Sequence, residues 1–307
     1  MGSPMRLKFW GTRGLISAPS TKTTIFGGNT TCIQIINNDN LILIDTGFGA
    51  SQLGEKLMKR ILKDKESLNI HIFYTHFHWD HVQGLPFFHP IYFESSNLHI
   101  YSPESPETMM ESLDVLFDGS YSPFSGLTKM PSKIHFNQLH GPFCLDNLTV
   151  DFAPVDHGDS DMAGHLTYAY KFTAKAEDNT SESVVIVTDH EATQSPVNDK
   201  IIEFARGCDL LIHDGQYTYV EYKRKHNWGH SSMRQALHNA IRIAPARTLL
   251  THHDPSHTDQ MLMKQFQKLK AEKKFNALDF EFAREDHIYE VRESMPAPEI
   301  LPVKKSA

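Results

Sequence analysis

Apolar positions along the chain fall into short runs divided by turn-forming residues, and the runs switch between a period of two and helical spacing. Residues 5–10 alternate as a first strand and end in the turn Gly11-Thr12-Arg13-Gly14. Residues 31–36 and 41–44 read as two strands around Asn37-Asn38-Asp39-Asn40, a turn by its Asn and Asp content. Leu53, Leu57 and Ile61 recur at helical spacing, predicting a helix over 52–62 that crosses to a strand at 70–74. Residues 97–101 are a further strand, and Ser105 opens a helix reaching Phe117. Residues 118–133 have no period; rich in Ser, Pro, Gly and aromatics, they read as a cover over a pocket or as a plain connector.

The second half repeats this plan. Short strands are predicted at 134–136, 143–145 and 148–153, then a hairpin-like pair at 167–173 and 183–187 around a polar turn at 177–182. A short helix at 201–205 leads to a strand at 209–212. A helix over 232–243 leads to a strand at 248–250, and a Lys-rich amphipathic helix over 259–270 leads to strand character across 279–291. Helices thus alternate with strands in two halves of similar plan.

Composition narrows the class. The chain has 307 residues, 37 acidic against 30 basic, for a formal net charge of -7. That length suits one large domain, residues 5–293, with a sizeable core. Residues 1–4 read as a cloning remnant and 294–307 as a flexible tail. Neither a basic-then-apolar leader nor a bilayer-length apolar run is visible. Cys32, Cys144 and Cys208 are too few and too far apart for a disulfide framework. These features predict a cytoplasmic protein with no membrane partner. The acidic balance argues against a broad nucleic-acid-binding face.

Nineteen histidines change the picture. Residues 74–85 read Tyr-Thr-His-Phe-His-Trp-Asp-His-Val-Gln-Gly-Leu, which puts His76, His78, Asp80 and His81 within six positions at the end of a strand. Extended backbone places His76 and His78 on one side and Asp80 on the other, with His81 turning back beside Asp80, a geometry able to serve two neighbouring ions. Other strands also end in chemistry: Asp45, His157, Asp189, Asp214 and His252. Neighbouring strand ends meet at one sheet edge, so a cleft there would gather these side chains.

His76-Phe77-His78-Trp79-Asp80-His81 resembles the His-x-His-x-Asp-His signature of the metallo-β-lactamase superfamily, and Asp45, His157, Asp189 and His252 follow in that family's order. The resemblance implies an α/β fold, an αββα sandwich of two βαβ-like halves. It implies that His76, His78 and His157 hold one metal ion, that Asp80, His81 and His252 hold a second, and that Asp189 bridges them. Such donors suit zinc, with manganese or iron as alternatives. Asp45 would orient a ligand from behind. His253 competes with His252 for the last ligand position, and His252, directly after Thr251, is preferred. His190 and His213 are expected to lie off the metals.

Asp214-Gly215 and Gly229-His230-Ser231-Ser232 resemble the ribonuclease Z branch, where an acidic residue pairs with the histidine of a Gly-His-Ser-Thr motif. That resemblance implies Asp214 and His230 as a pair assisting the leaving oxygen, and it carries an expectation of a homodimer. The long basic arm with which ribonuclease Z grips tRNA has no counterpart here, so no large nucleic acid is expected as partner. Gly11-Thr12-Arg13-Gly14, Gly28-Asn29-Thr30 and His253-Asp254-Pro255 are similar to stand-alone bacterial hydrolases whose relatives include cyclic nucleotide phosphodiesterases. They make Arg13, Asn29 and His253 candidate substrate contacts or supports.

The resulting expectation is a binuclear metal-dependent phosphodiesterase acting on a small phosphodiester, best a 3′,5′-cyclic nucleotide. A hydroxide held by the ions would attack phosphorus, with Asp80, Asp214 and His230 as the catalytic group. The rivals are a lactone or lactam hydrolase, for which the Asp214–His230 pair has less use, and a nucleotide-binding sensor without activity.

Overall fold

Two kinds of apolar pattern build the molecule. Strands whose neighbours lie on both sides carry nearly continuous apolar runs, as in Leu210–Asp214, buried at every position. Helices carry one apolar stripe, as in Gly49–Asp64, where Leu53, Leu57 and Ile61 are buried and the lysines face outward. The computed structural model describes residues 4–38, 40–120, 123–124, 126–158, 166–175 and 181–292. The tail expected at 294–307, most of the 1–4 segment, Tyr121 and most of the 177–182 turn lie outside these residues.

In chain order the elements of the first half are β1 (Arg6–Gly11), β2 (Cys32–Asn37), β3 (Asn40–Ile44), α1 (Gly49–Asp64), β4 (Leu68–Phe73), α2 (Trp79–Val82), β5 (Ser96–Ser102), α3 (Pro106–Asp114) and β6 (Lys133–Gln138). The second half runs through β7 (Phe143–Leu145), β8 (Leu148–Pro154), β9 (Tyr168–Lys175), β10 (Ser181–Val187), α4 (Pro196–Ala205), β11 (Leu210–Asp214), α5 (Tyr219–Tyr222), α6 (Met233–Ile243), β12 (Arg247–Thr251) and α7 (Asp259–Lys270). Two short strands close it, β13 (Phe280–Phe282) and β14 (Ile288–Glu290). Helix starts are set by side-chain caps: Ser105 accepts from Thr108 N, Ser195 from Asn198 N, and Thr258 from Met261 N. Ser232 caps α6 in a reciprocal box with Gln235.

The strands form two seven-stranded sheets, ordered β14-β1-β2-β3-β4-β5-β6 and β13-β12-β11-β10-β9-β8-β7. Each sheet is antiparallel on one side and parallel on the other. The change falls between β3 and β4 in the first and between β10 and β11 in the second. Their inner faces share one core, in which Phe9, Ile33, Ile35 and Phe73 meet Tyr170, Phe172, Ile186 and Ile212. Outside the first sheet α1 and α3 pack over Ile70, Ile72, Leu98 and Ile100. Outside the second, α4 and α6 cover Val185, Val187 and Leu211, and α7 joins Leu250, Phe280 and Phe282. Each such leucine or isoleucine contributes about 1.5–3 kcal/mol by leaving water. The result is an αββα sandwich.

Three expectations are adjusted. The strand character of 279–291 is two strands in different sheets: β13 pairs with β12, the chain turns at Asp286 (φ 58°), and β14 pairs with β1. The helix from Ser105 gives way to a 3-10 turn at Val115–Phe117. The described part of 118–133 packs on the outer helical core, with Phe124 against Tyr92 and Phe117 and with Leu127 buried.

Candidate metal centre

The site lies at the strand ends beside the points where the sheets change from antiparallel to parallel. Three residues just past strand ends take left-handed backbone there: Asp45 after β3 (φ 60°), Asp189 after β10 (φ 49°) and His252 after β12 (φ 62°). That conformation is uncommon outside glycine, and Asp and His are among the side chains that tolerate it. It turns each side chain off its strand and over the sheet edge.

Three groups of potential ligands result, in each of which the ligand atoms all lie within 4.8 Å of one another. The first is His76, His78 and His157, the second is Asp80, His81, Asp189 and His252, and a third, Asp189, Asp214, His230 and His252, shares two residues with the second. The carboxylate of Asp189 faces the first two. Its Oδ2 lies 3.7 Å from His76 Nε2 and 3.7 Å from His157 Nε2, while its Oδ1 lies 3.2 Å from His81 Nε2 and 3.3 Å from His252 Nε2. Asp80 Oδ2 is 3.2 Å from His252 Nε2. A one-turn helix, α2, brings Asp80 and His81 round to this side; it follows His78, which stays extended.

Groups behind the cluster fix each ring. Asp45 accepts from His81 Nδ1 at 2.7 Å and is itself held by Thr75, whose N–H and hydroxyl both donate at 2.8 Å. His157 Nδ1 donates to the Gly229 carbonyl at 2.9 Å, and His252 Nδ1 to Gln216 Oε1 at 2.8 Å. The N–H of Leu15 donates to Asp80 Oδ2 at 2.7 Å. Each Nε2 of His81, His157 and His252 is thereby turned inward, the arrangement that orients metal-binding imidazoles. Gly14 and Gly229 must be glycine, because a Cβ at either would strike the ring of His252 or His157.

The electrostatics demand positive charge. Burial opposes ionisation of Asp80 and Asp189, but neighbouring His81 and His252 hold both carboxyls well below the usual range. Conversely, burial opposes charge on His81 and His252, yet Asp189, Asp80 and their neighbours raise His81 well above the ordinary imidazole and His252 to about 8. On the other side burial pushes His76 well down and His157 to about 4. His76 Nε2 and Asp189 Oδ1, on opposite sides of the cluster, are buried without a hydrogen-bond partner among the described residues, a costly state that a cation beside each relieves. Carboxylates that favour a proton on His81 and His252 favour a cation in its place, and imidazoles with carboxylates are the donor set of a divalent transition metal, so the residues present fit such ions.

Against the cluster, sharing the third group with Asp189 and His252, lies the pair Asp214 and His230. His230 Nδ1 donates to Asp214 Oδ2 at 2.8 Å, and Asp214 Oδ1 accepts from Gln216 N and Ser231 N, both at 3.1 Å. His230 stacks on His252, ring centroids 4.9 Å apart. Glu191 fixes the approach to His230: buried, it accepts from Asn227 N, Gly229 N and the Tyr222 hydroxyl.

Other expected contacts fall elsewhere. Arg13 does not face a substrate: it is fully buried, and its guanidinium donates to the carbonyls of Gly27, Asp254 and His257. Asn29 is likewise internal, its amide bound to Trp10 O and Glu285. His253 points away from the cluster, donating to Ala283 O between Phe26 and Phe282. His190 and His213 join an Asn198–Asn239 network behind the second sheet. Sequence reasoning missed Thr75, Gln216, Glu191 and the Leu15 N–H. Only Gln216 left a signal, as a lone amide directly after Asp214-Gly215; Leu15 acts through its backbone N–H, and Thr75 and Glu191 act through side chains whose partners no motif reports.

Among curated proteins the chain is 25% identical over 308 residues to ribonuclease Z of Picrophilus torridus, covering 86% of this chain and 90% of that one. Its match to ribonuclease Z of Bacillus velezensis is also 25% identical, covering 59% and 68%. Among solved structures, the metallo-β-lactamase fold protein YhfI from Bacillus subtilis superposes with a TM-score of 0.62 at 18% identity (93% and 98% covered). Unliganded yeast PDE1 gives 0.62 at 14% (93% and 99%), and human tRNase Z, short form, 0.58 at 16% (95% and 100%). These findings overturn the expectation that a large nucleic acid is excluded, since the relatives are themselves ribonucleases. Net charge and a missing basic arm describe grip on an RNA body, not which phosphodiester a metal site accepts. The accompanying expectation of a homodimer has no support from them. No described helix is long and apolar enough to cross a membrane. Residues 40–253 match the family described as the Beta-lactamase superfamily domain, and the chain belongs to that family as a metal-dependent hydrolase of metallo-β-lactamase fold.

Proposed function

We propose that the protein is a phosphodiesterase in which His76, His78 and His157 would hold one divalent ion, zinc by preference, and Asp80, His81 and His252 a second, with Asp189 serving both. The observation that carries the reading is the Asp214–His230 pair. Hydrolysis of a carboxyl substrate at such a cluster has less need of a second buried acid. Expulsion of an alkoxide from phosphorus needs a proton donor, and His230 stands beside the cluster with Nδ1 fixed by Asp214. Ions bound there supply Lewis acidity toward phosphoryl oxygens and activate water at neutral pH.

The chain's own residues do the rest. Asp45, Gln216 and the Gly229 carbonyl hold three imidazoles in their ligating tautomers. Asp214 leaves His230 Nε2 as the free ring nitrogen that can carry a proton to the leaving oxygen. Glu191 keeps the 227–230 segment in register with the cluster. The resemblance to ribonuclease Z and to PDE1 supports a phosphodiester as substrate, and a 3′,5′-cyclic nucleotide is our specific candidate. The test is a panel of 3′,5′-cyclic nucleotides, RNA with a 3′ extension, and lactones, offered to the zinc-loaded protein. Hydrolysis of diesters with lactones untouched supports the reading; lactone turnover with every diester inert overturns it.

A further inference from the structure

His78 is exposed, whereas His76, His157, Asp80, His81, Asp189 and His252 are buried, so a substrate meets the cluster from the His78 side. Two exposed tryptophans adjoin residues of this site in the chain. Trp79 follows His78 and is 61% exposed; Trp228 precedes Gly229 and is 60% exposed. One imidazole joins the two segments: His157 Nε2 lies 3.1 Å from His78 Nδ1, and its Nδ1 donates to Gly229 O. Both segments are anchored. The Trp79 carbonyl accepts from Gln83 N, and the amides on either side of Trp228, at Asn227 and Gly229, bind Glu191. Trp10 is 3% exposed in the outer core of the first sheet. Of the chain's three tryptophans, the two left in water are therefore the two that adjoin residues of the site in the chain. Leu15 and Ile16, also exposed, extend this apolar rim from the residue whose N–H binds Asp80. Single exposed aliphatic residues need no explanation, but two exposed indoles on backbone-anchored segments that adjoin the ligand residues are side chains on which a planar base can stack.

Resting on the phosphodiester reading, we propose that Trp79 and Trp228 take the planar base of the substrate, which makes the substrate class nucleoside phosphodiesters rather than base-free ones. Every base has a π-face, so such a platform binds nucleotides with little preference among bases. Lys225, its ammonium 5.8 Å from the Trp228 ring centroid and paired with Asp254, places a cation at the same rim.

The rings report on themselves. Adenosine 5′-monophosphate and ribose 5-phosphate are titrated separately into the zinc-loaded protein while tryptophan emission is followed. The expected result is quenching by the nucleotide and none by the sugar phosphate. Trp79→Ala and Trp228→Ala should each weaken nucleotide binding by about tenfold or more, with the Phe variants retaining most of it and thermal melts unchanged. Equal responses to the two probes, or Ala variants that bind the nucleotide like wild type, overturn the proposal. The two readings separate cleanly: base-dependent quenching without diester hydrolysis keeps the platform and removes the phosphodiesterase. Hydrolysis whose KM ignores both tryptophans does the reverse.

Discussion

The tightest coupling at the residue scale is between a ligand and the group behind it. Asp45 touches no ligand-binding side of the cluster, yet its carboxylate sets the ring of His81. Asp45→Asn should leave the fold in place and weaken metal retention by about 10–100-fold, as loss of such partners does; competition with a chromophoric chelator measures it. Glu285 offers a pH test away from the cluster. Burial, against the pull of Asn29 N–H and Arg13, raises its carboxyl to about 7, whereas in an unfolded chain it titrates near about 4.3. The folded protein thus binds the extra proton between those values. The contribution is fully present below about pH 4 and is lost as pH rises through about 7, and is on the order of 4 kcal/mol. Relative to wild type, Glu285→Gln should gain stability in urea melts between pH 5 and pH 8; a difference that does not change with pH contradicts this.

At the scale of elements, the segment from Asn227 to Ser232 decides what the cluster can do, and Glu191 holds it from the next strand end. Glu191→Ala should lower kcat at least tenfold with bound metal unchanged, read by steady-state kinetics and metal analysis on the same sample. An unaltered kcat would remove Glu191 from the mechanism. Legibility in the sequence follows the same boundary. Strands such as β10 and β11 announce themselves because burial on both faces requires continuous apolar runs, and His76 to His81 announces itself because four donors in six positions have no packing purpose. The split of 279–291 into β13 and β14 was not legible, since a turn at Asp286 that sends two short strands to different sheets leaves no periodic trace. Arg13 misled for a related reason: a turn arginine looks free to meet a substrate until its three carbonyl partners, two of them more than 240 positions away, fold around it.

For the whole molecule, two sheets with the same antiparallel-to-parallel plan bring their strand ends to one site, and ligands from both halves meet in it. Bound ions therefore tie the halves together. Removing them with a chelator should lower the melting temperature by on the order of 10 °C, the equivalent of about 4 kcal/mol of binding at saturating metal; identical melts with and without metal contradict a cluster that spans both sheets. The central claim is that His230 gives a proton to the leaving oxygen of a phosphodiester. It is tested most directly by comparing wild type with His230→Ala on two diesters. One is bis(p-nitrophenyl) phosphate, whose activated leaving group needs no proton; the other is a nucleoside diester with an alkyl leaving group. With metal content equal, the variant should lose about 10²–10⁴-fold in kcat on the alkyl diester and little on the aryl one. Equal losses on both, or no turnover of either by the metal-loaded wild type, would contradict it.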